Sequence, residues 1–146
     1  MSSITVDTKE LDKFAVLIEG YPSKVYSNVC DAVKKSTFNV EKYAKENLTR
    51  NGSVDTGLLR NSVNSKLALT TGTVSTNTKY ARYVEEGTKP HIIRARKARF
   101  LYWNGAKHPV KQVNHKGSKA KPYMIPALEK EEPNFFKALE KAVDLP

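Results

Sequence analysis

Three sets of residues in this sequence are of types that do chemistry. Asp55-Thr56-Gly57 repeats the tripeptide of aspartic proteases, in which two such carboxylates share one proton. The chain holds one copy, and the preceding Asn51-Gly52-Ser53-Val54 is not the buried apolar strand that such a site requires. Only a homodimer of the retroviral kind would supply the second carboxylate. Asp55 is therefore read as a cap, its carboxylate accepting from the free N–H groups that open a turn through Leu59. His91, His108 and His115 share one region, but their spacings match no zinc pattern and no carboxylate lies close in sequence, so they read as solvated loop histidines. Cys30 is single and cannot form an internal disulfide or a cysteine metal cluster, and it reads as a small buried or half-buried helix residue. No catalytic, cofactor-binding or metal-binding residue is assigned, and no cofactor is expected.

The remaining chemistry is electrostatic. Of 146 residues, 25 are Lys or Arg and 15 are Asp or Glu, a formal net charge of +10. Between Glu86 and Glu129 there is no acidic residue, while Lys89, Arg94, Arg96, Lys97, Arg99, Lys107, Lys111, Lys116, Lys119 and Lys121 supply ten positive charges. The rest of the chain, with 15 basic and 15 acidic residues, is neutral. A charge excess confined to one segment marks a surface directed at something negative. Phe100, Tyr102 and Trp103 lie among these cations, where aromatic rings either stack on exposed bases or pack in the core.

The element that must position everything else is the stretch Ser23 to Arg50. Val25, Val29, Val33, Val40, Ala44 and Leu48 recur there at the period of one helix face, and Asn51-Gly52 tolerates the left-handed turn that ends a helix. Before it, Asp7 and Glu10 form a capping-box pattern for a short helix carrying Leu11, Phe14, Ala15 and Ile18, which makes a helical hairpin with the long one. After it, Val63, Ser65, Leu67 and Leu69 alternate as in a half-buried strand, with a hairpin partner over Thr73 to Asn77. Tyr80, Tyr83 and Val84 have the spacing of a short helix on that sheet, its tyrosines packing in the core or an interface. His91 to Tyr102 is strand-like with neither parity cleanly apolar, and Asn104 to Pro122 reads as an extended hairpin or arm. Pro126 suits the first turn of a C-terminal helix with Leu128, Phe135, Phe136, Leu139 and Val143 on its buried side. Pro133 calls for a break into two segments, with Glu129, Glu131 and Glu132 near the helix starts. The expectation is one α+β domain over 1–146: a long helix and helical hairpin on a small, mostly antiparallel sheet, a basic hairpin or arm over about 89–122, and a C-terminal helix. Met1 to Thr8 lacks the pattern of a signal peptide and no run approaches membrane-spanning length, so neither secretion nor membrane insertion is expected.

Three pieces in order, Asp55-Thr56-Gly57-Leu58-Leu59-Arg60-Asn61-Ser62, Tyr80-Ala81-Arg82-Tyr83-Val84-Glu85-Glu86-Gly87-Thr88 and Lys121-Pro122-Tyr123-Met124-Ile125-Pro126-Ala127-Leu128, resemble the neck proteins of tailed bacteriophages. These are variously head-to-tail joining, tail-completion or minor tail components. The resemblance covers roughly Ser23 to Val143 and departs most in the basic insert between Thr88 and Pro122. It implies a non-enzymatic subunit, made in the host cytoplasm and carried in the virion neck. The ring it forms with its own copies, a hexamer favoured over a dodecamer, would surround the DNA exit channel and adjoin portal-adaptor, stopper or tail-terminator proteins. Asp55, Gly57, Tyr80, Tyr83, Glu85, Gly87, Pro122 and Pro126 would be architectural, with Gly57 and Gly87 serving turns. Arg94, Arg96, Lys97, Arg99, Lys107, Lys111, Lys116, Lys119 and Lys121 would contact a neighbouring protein or, non-specifically, packaged DNA. The alternative is a stand-alone nucleic-acid-binding protein that uses the basic 89–121 segment.

Overall fold

The computed structural model describes residues 23–53, 55–96 and 98–143, so the expected first helix and helical hairpin lie outside the described residues. The long helix α1 runs over Ser23–Arg50, as its periodicity requires. It ends in a Schellman turn: the Ser53 N–H donates to the Leu48 carbonyl at 3.1 Å and the Gly52 N–H to Thr49 at 3.2 Å, with Gly52 at φ 61°. There follow α2 (Leu58–Ser62), β1 (Asn64–Ala68), β2 (Thr71–Ser75), α3 (Ala81–Glu86), β3 (His91–Arg94), β4 (Gln112–His115) and α4 (Ile125–Val143). The class is α+β, with two separate two-stranded antiparallel sheets, β1–β2 and β3–β4.

α1 packs chiefly on α4 and the two run antiparallel, which divides the interior into two apolar clusters. Toward the start of α1, Val25, Val29, Ala32 and Val33 meet Leu139 and Ala142. Toward its end, Val40, Ala44 and Leu48 meet Leu59, Val63, Val74, Ala81, Tyr123, Met124 and Ala127. Between the clusters sits the buried carboxylate of Glu131, which accepts hydrogen bonds at 2.9 Å from both Ser36 Oγ and Asn39 Nδ2. A buried carboxylate needs such donors, and here α1 supplies both. β2 crosses α1 closely at Gly72, where any Cβ would collide with the Thr37 side chain.

Several expectations are corrected. α4 is one helix through Pro133, not two segments. Pro133 and Glu129 are both exposed, so water can satisfy the carbonyl that proline leaves without a donor. With a single start at Ile125, Glu129, Glu131 and Glu132 lie beyond the first turn. The buried face of α4 is Ala127, Glu131, Leu139 and Ala142, whereas Leu128, Phe136 and Val143 are exposed. In the β1 alternation Val63 is buried but Leu67 and Leu69 face solvent, and the hairpin's buried side chains are Val63, Val74 and Thr76. Of the core or interface packing expected for Tyr80 and Tyr83, the core is excluded, since both are exposed and α3 turns Ala81 and Glu85 inward. The strand beginning at His91 stops at Arg94, with one further bridge between Leu101 and Val110.

Candidate assembly interface

The second and third of the three motif pieces meet in space. Glu85 projects from α3 and is 5% exposed. Its carboxylate accepts backbone N–H groups from Tyr123 (2.8 Å), Met124 (3.0 Å) and Ile125 (3.0 Å) at the start of α4. The first N–H groups of a helix have no partner within it, and a carboxylate there satisfies donors while meeting the positive end of the helix dipole. Glu85 thus caps a helix 40 residues further along the chain. The Lys121 N–H donates to the Val84 carbonyl at 2.8 Å, which extends the same join. From α1, Asn47 Nδ2 donates to the Tyr123 carbonyl at 3.0 Å and Asn51 Nδ2 to the Pro122 carbonyl at 2.8 Å. Pro122 and Pro126 flank this lead-in to α4.

The first piece builds the neighbouring wall. Leu59 enters the core, and Ser62 Oγ lies 2.6 Å from Thr76 Oγ1 and 2.5 Å from Thr78 Oγ1. Asp55 is exposed and does not cap α2. That position falls to Gly57 at φ 76°, without a side-chain cap, because the chain turns through the left-handed region after Asp55 has passed.

Immediately after Gly87 the chain enters the basic segment. Thr88 and Ser118 bridge through paired backbone hydrogen bonds of 3.0 Å, with their hydroxyls also 3.0 Å apart. β3 and β4 then pair from His91↔His115 to Arg94↔Gln112. Every residue of β3 is exposed, and in β4 only Val113 is half-buried. Lys89, Arg94, Arg96, Arg99, Lys107, Lys111, Lys116, Lys119 and Lys121 are all exposed, and Lys97 lies outside the described residues. Among the described residues none of these cations pairs with a carboxylate; the ion pairs are Lys42–Glu46, Lys45–Glu41 and Arg82–Glu86. Phe100, Tyr102 and Trp103 are 44%, 69% and 49% exposed, so they are not core residues.

The histidines do not converge. His91 and His115 face each other across the strands with ring centroids 5.0 Å apart, while His108 is exposed elsewhere on the segment. Among the described residues no three His, Cys, Asp or Glu are placed to hold a metal, and no helix is long and apolar enough to cross a membrane. Cys30 is half-buried.

Sequence reasoning missed the roles of two glutamates, the capping by Glu85 and the burial of Glu131. Neither had a local signal, because the apolar pattern placed the inward faces at Tyr80, Tyr83 and Val84 and at Leu128, Phe136 and Val143, away from Glu85 and Glu131.

These parts define a small α+β subunit in which a capped helical frame carries an exposed cationic hairpin. The chain belongs to the HK97-gp10-like family of bacteriophage tail components, whose profile matches residues 12–87. The match ends at the turn before the basic hairpin. No curated protein and no solved structure matches the chain.

Proposed function

We propose that the protein is a structural subunit of the phage neck that assembles with its own copies into a ring, joins the DNA-filled head to the tail and surrounds the DNA exit channel. Its neighbours above and below are portal-adaptor, stopper or tail-terminator proteins, and the 88–118 hairpin reaches the next protein in the assembly. The observation that carries this reading is a set of exposed cations that pair with no carboxylate among the described residues, on a hairpin that buries almost nothing against its own body, in a chain of a tail-component family. A ring of identical copies needs a surface on each that fits a different surface on the next, and an extended segment enlarges that contact.

Replacing residues 95–111 by a two-residue Asn-Gly turn keeps the β3–β4 pairing and the Thr88–Ser118 bridge. The shortened protein is expected to unfold thermally as the parent does, yet to fail in joining heads to tails in an extract lacking the parent. Joining at parental efficiency would sink the proposal.

The exposure of Phe100, Tyr102 and Trp103 among cations supports a second reading, a nucleic-acid-binding protein. Filter binding of short DNA over a salt series separates the two. Tight, steeply salt-dependent binding by the monomer favours the second reading.

A further inference from the structure

The exposed side of α4 carries a second unpartnered surface, opposite in sign to the hairpin. At about 100° per residue, Glu129, Phe136, Glu140 and Val143 fall in one stripe along the helix, turned away from the buried Ala127–Glu131–Ala142 face, with Leu128 and Glu132 at the stripe's edge on either side of the buried Leu139. All six are exposed, with Phe136 at 54%. Among the described residues none of these three glutamates has a cation partner. Of the lysines of α4, Lys137 lies about 60° round the helix from Glu140, and Lys130 and Lys141 lie roughly a quarter-turn or more from the stripe, with Lys130 held over the Tyr43 ring at 3.7 Å. The stripe is an apolar ridge flanked by three carboxylates, and the hairpin is an apolar and aromatic ribbon flanked by arginines and lysines.

We infer that the outer face of α4 is the receiving surface for the β3–β4 hairpin of a second copy of this chain, with Glu129, Glu132 and Glu140 opposite the hairpin's Arg94, Arg96 and Arg99. The argument is complementarity of charge and of apolar character between two surfaces of one chain that do not pair with each other within it. A contact between two different surfaces of identical copies is heterologous, the kind that closes into rings. Complementary charge steers such an encounter and sets its register, while Phe136 gives the apolar centre where binding energy concentrates. The inference rests on the ring reading above and names which face meets which.

Two full-length variants test it: Glu129→Lys/Glu132→Lys/Glu140→Lys, and Arg94→Glu/Arg96→Glu/Arg99→Glu. Sedimentation over a concentration series reads self-association, circular dichroism confirms the fold, and joining of heads to tails is assayed in parallel. Each variant alone is expected to associate about a hundredfold more weakly than the parent. Mixed in equal amounts they are expected to recover parental association, because each then offers the other an oppositely charged face, in rings of alternating copies. A disulfide between Phe136→Cys and Tyr102→Cys copies, in a Cys30→Ser background, places the two faces in contact. If the parent associates and the α4 reversal leaves association intact, the docking face is wrong and the ring stands. If the parent stays monomeric and uncrosslinked while still joining heads to tails, the inference falls and the structural role survives. If only the hairpin reversal acts, and it acts on DNA retention and not on association, nucleic acid is the occupant.

Discussion

At Gly87 the chain leaves α3 with φ 73°, and a Cβ there would lie 2.6 Å from the Ser118 carbonyl oxygen and 2.7 Å from the Ala120 nitrogen. Both the dihedral and the close approach of backbone to backbone require glycine. Gly87→Ala is expected to destabilise the fold by about 3 kcal/mol or more and to loosen the Thr88–Ser118 bridge, read as a lower unfolding midpoint and faster amide exchange at Ser118. Tyr123 is a different case. Its ring is fully buried and its hydroxyl has no hydrogen-bond partner among the described residues. Burial first, and then the nearby charges of Glu85 and Tyr80, push the phenol well above its ordinary value. A folded-state pKa above the unfolded one means that this contribution to stability is fully present below about pH 10, where unfolded tyrosine begins to ionise. It is lost as pH rises through the folded value. Tyr123→Phe is expected to remove that alkaline loss and to raise stability at neutral pH by up to about 1 kcal/mol, since a buried hydroxyl without a partner is itself a cost. Denaturant titrations at pH 7 and pH 11 check both parts.

α1 and α4 are joined by two apolar clusters with a polar link between them. Apolar side chains would slide past one another at small cost, whereas the Glu131 carboxylate with Ser36 and Asn39 fits one register only. Glu131→Ala leaves the buried Ser36 hydroxyl and the half-buried Asn39 amide without an acceptor and is expected to cost about 2–3 kcal/mol. Glu131→Gln keeps an acceptor oxygen and is expected to cost about 1 kcal/mol or less. Equal losses for the two, measured by urea unfolding, would show that volume and not hydrogen bonding decides the site. The β1 strand is tied to α1 by another carboxylate, Glu41, which accepts the Ser65 N–H at 2.9 Å. Burial raises the Glu41 pKa, but hydrogen bonds from Lys45 and Ser65, with the Lys45 charge, outweigh it and hold the group below its ordinary value.

Across the whole molecule the charges are segregated. Among the described residues the ion pairs all lie within the helices of the body, and the hairpin's cations pair with no carboxylate. Attraction between exposed charges decays over about 8 Å at physiological salt and about 3 Å at 1 M. Joining of heads to tails is therefore expected to slow about tenfold between 0.05 and 0.5 M salt. A rate indifferent to salt would mean that the hairpin acts through its apolar residues alone.

The sequence by itself determined the long helix, its ends, the β1–β2 pairing, the α+β class and the segregation of charge. Each of these follows from local periodicity, capping and composition, which need no knowledge of distant residues. The resemblance to neck proteins was legible in the same way, from three short pieces. Only the tertiary structure decided which way helices turn. The inward face of α4 is set by two partners on α1, and of α3 by the open start of α4, so Phe136, Tyr80 and Tyr83 lie outside while Glu131 and Glu85 lie inside. A carboxylate's burial depends on donors that arrive from residues 38 to 95 positions away, and no pattern local to the glutamate records them.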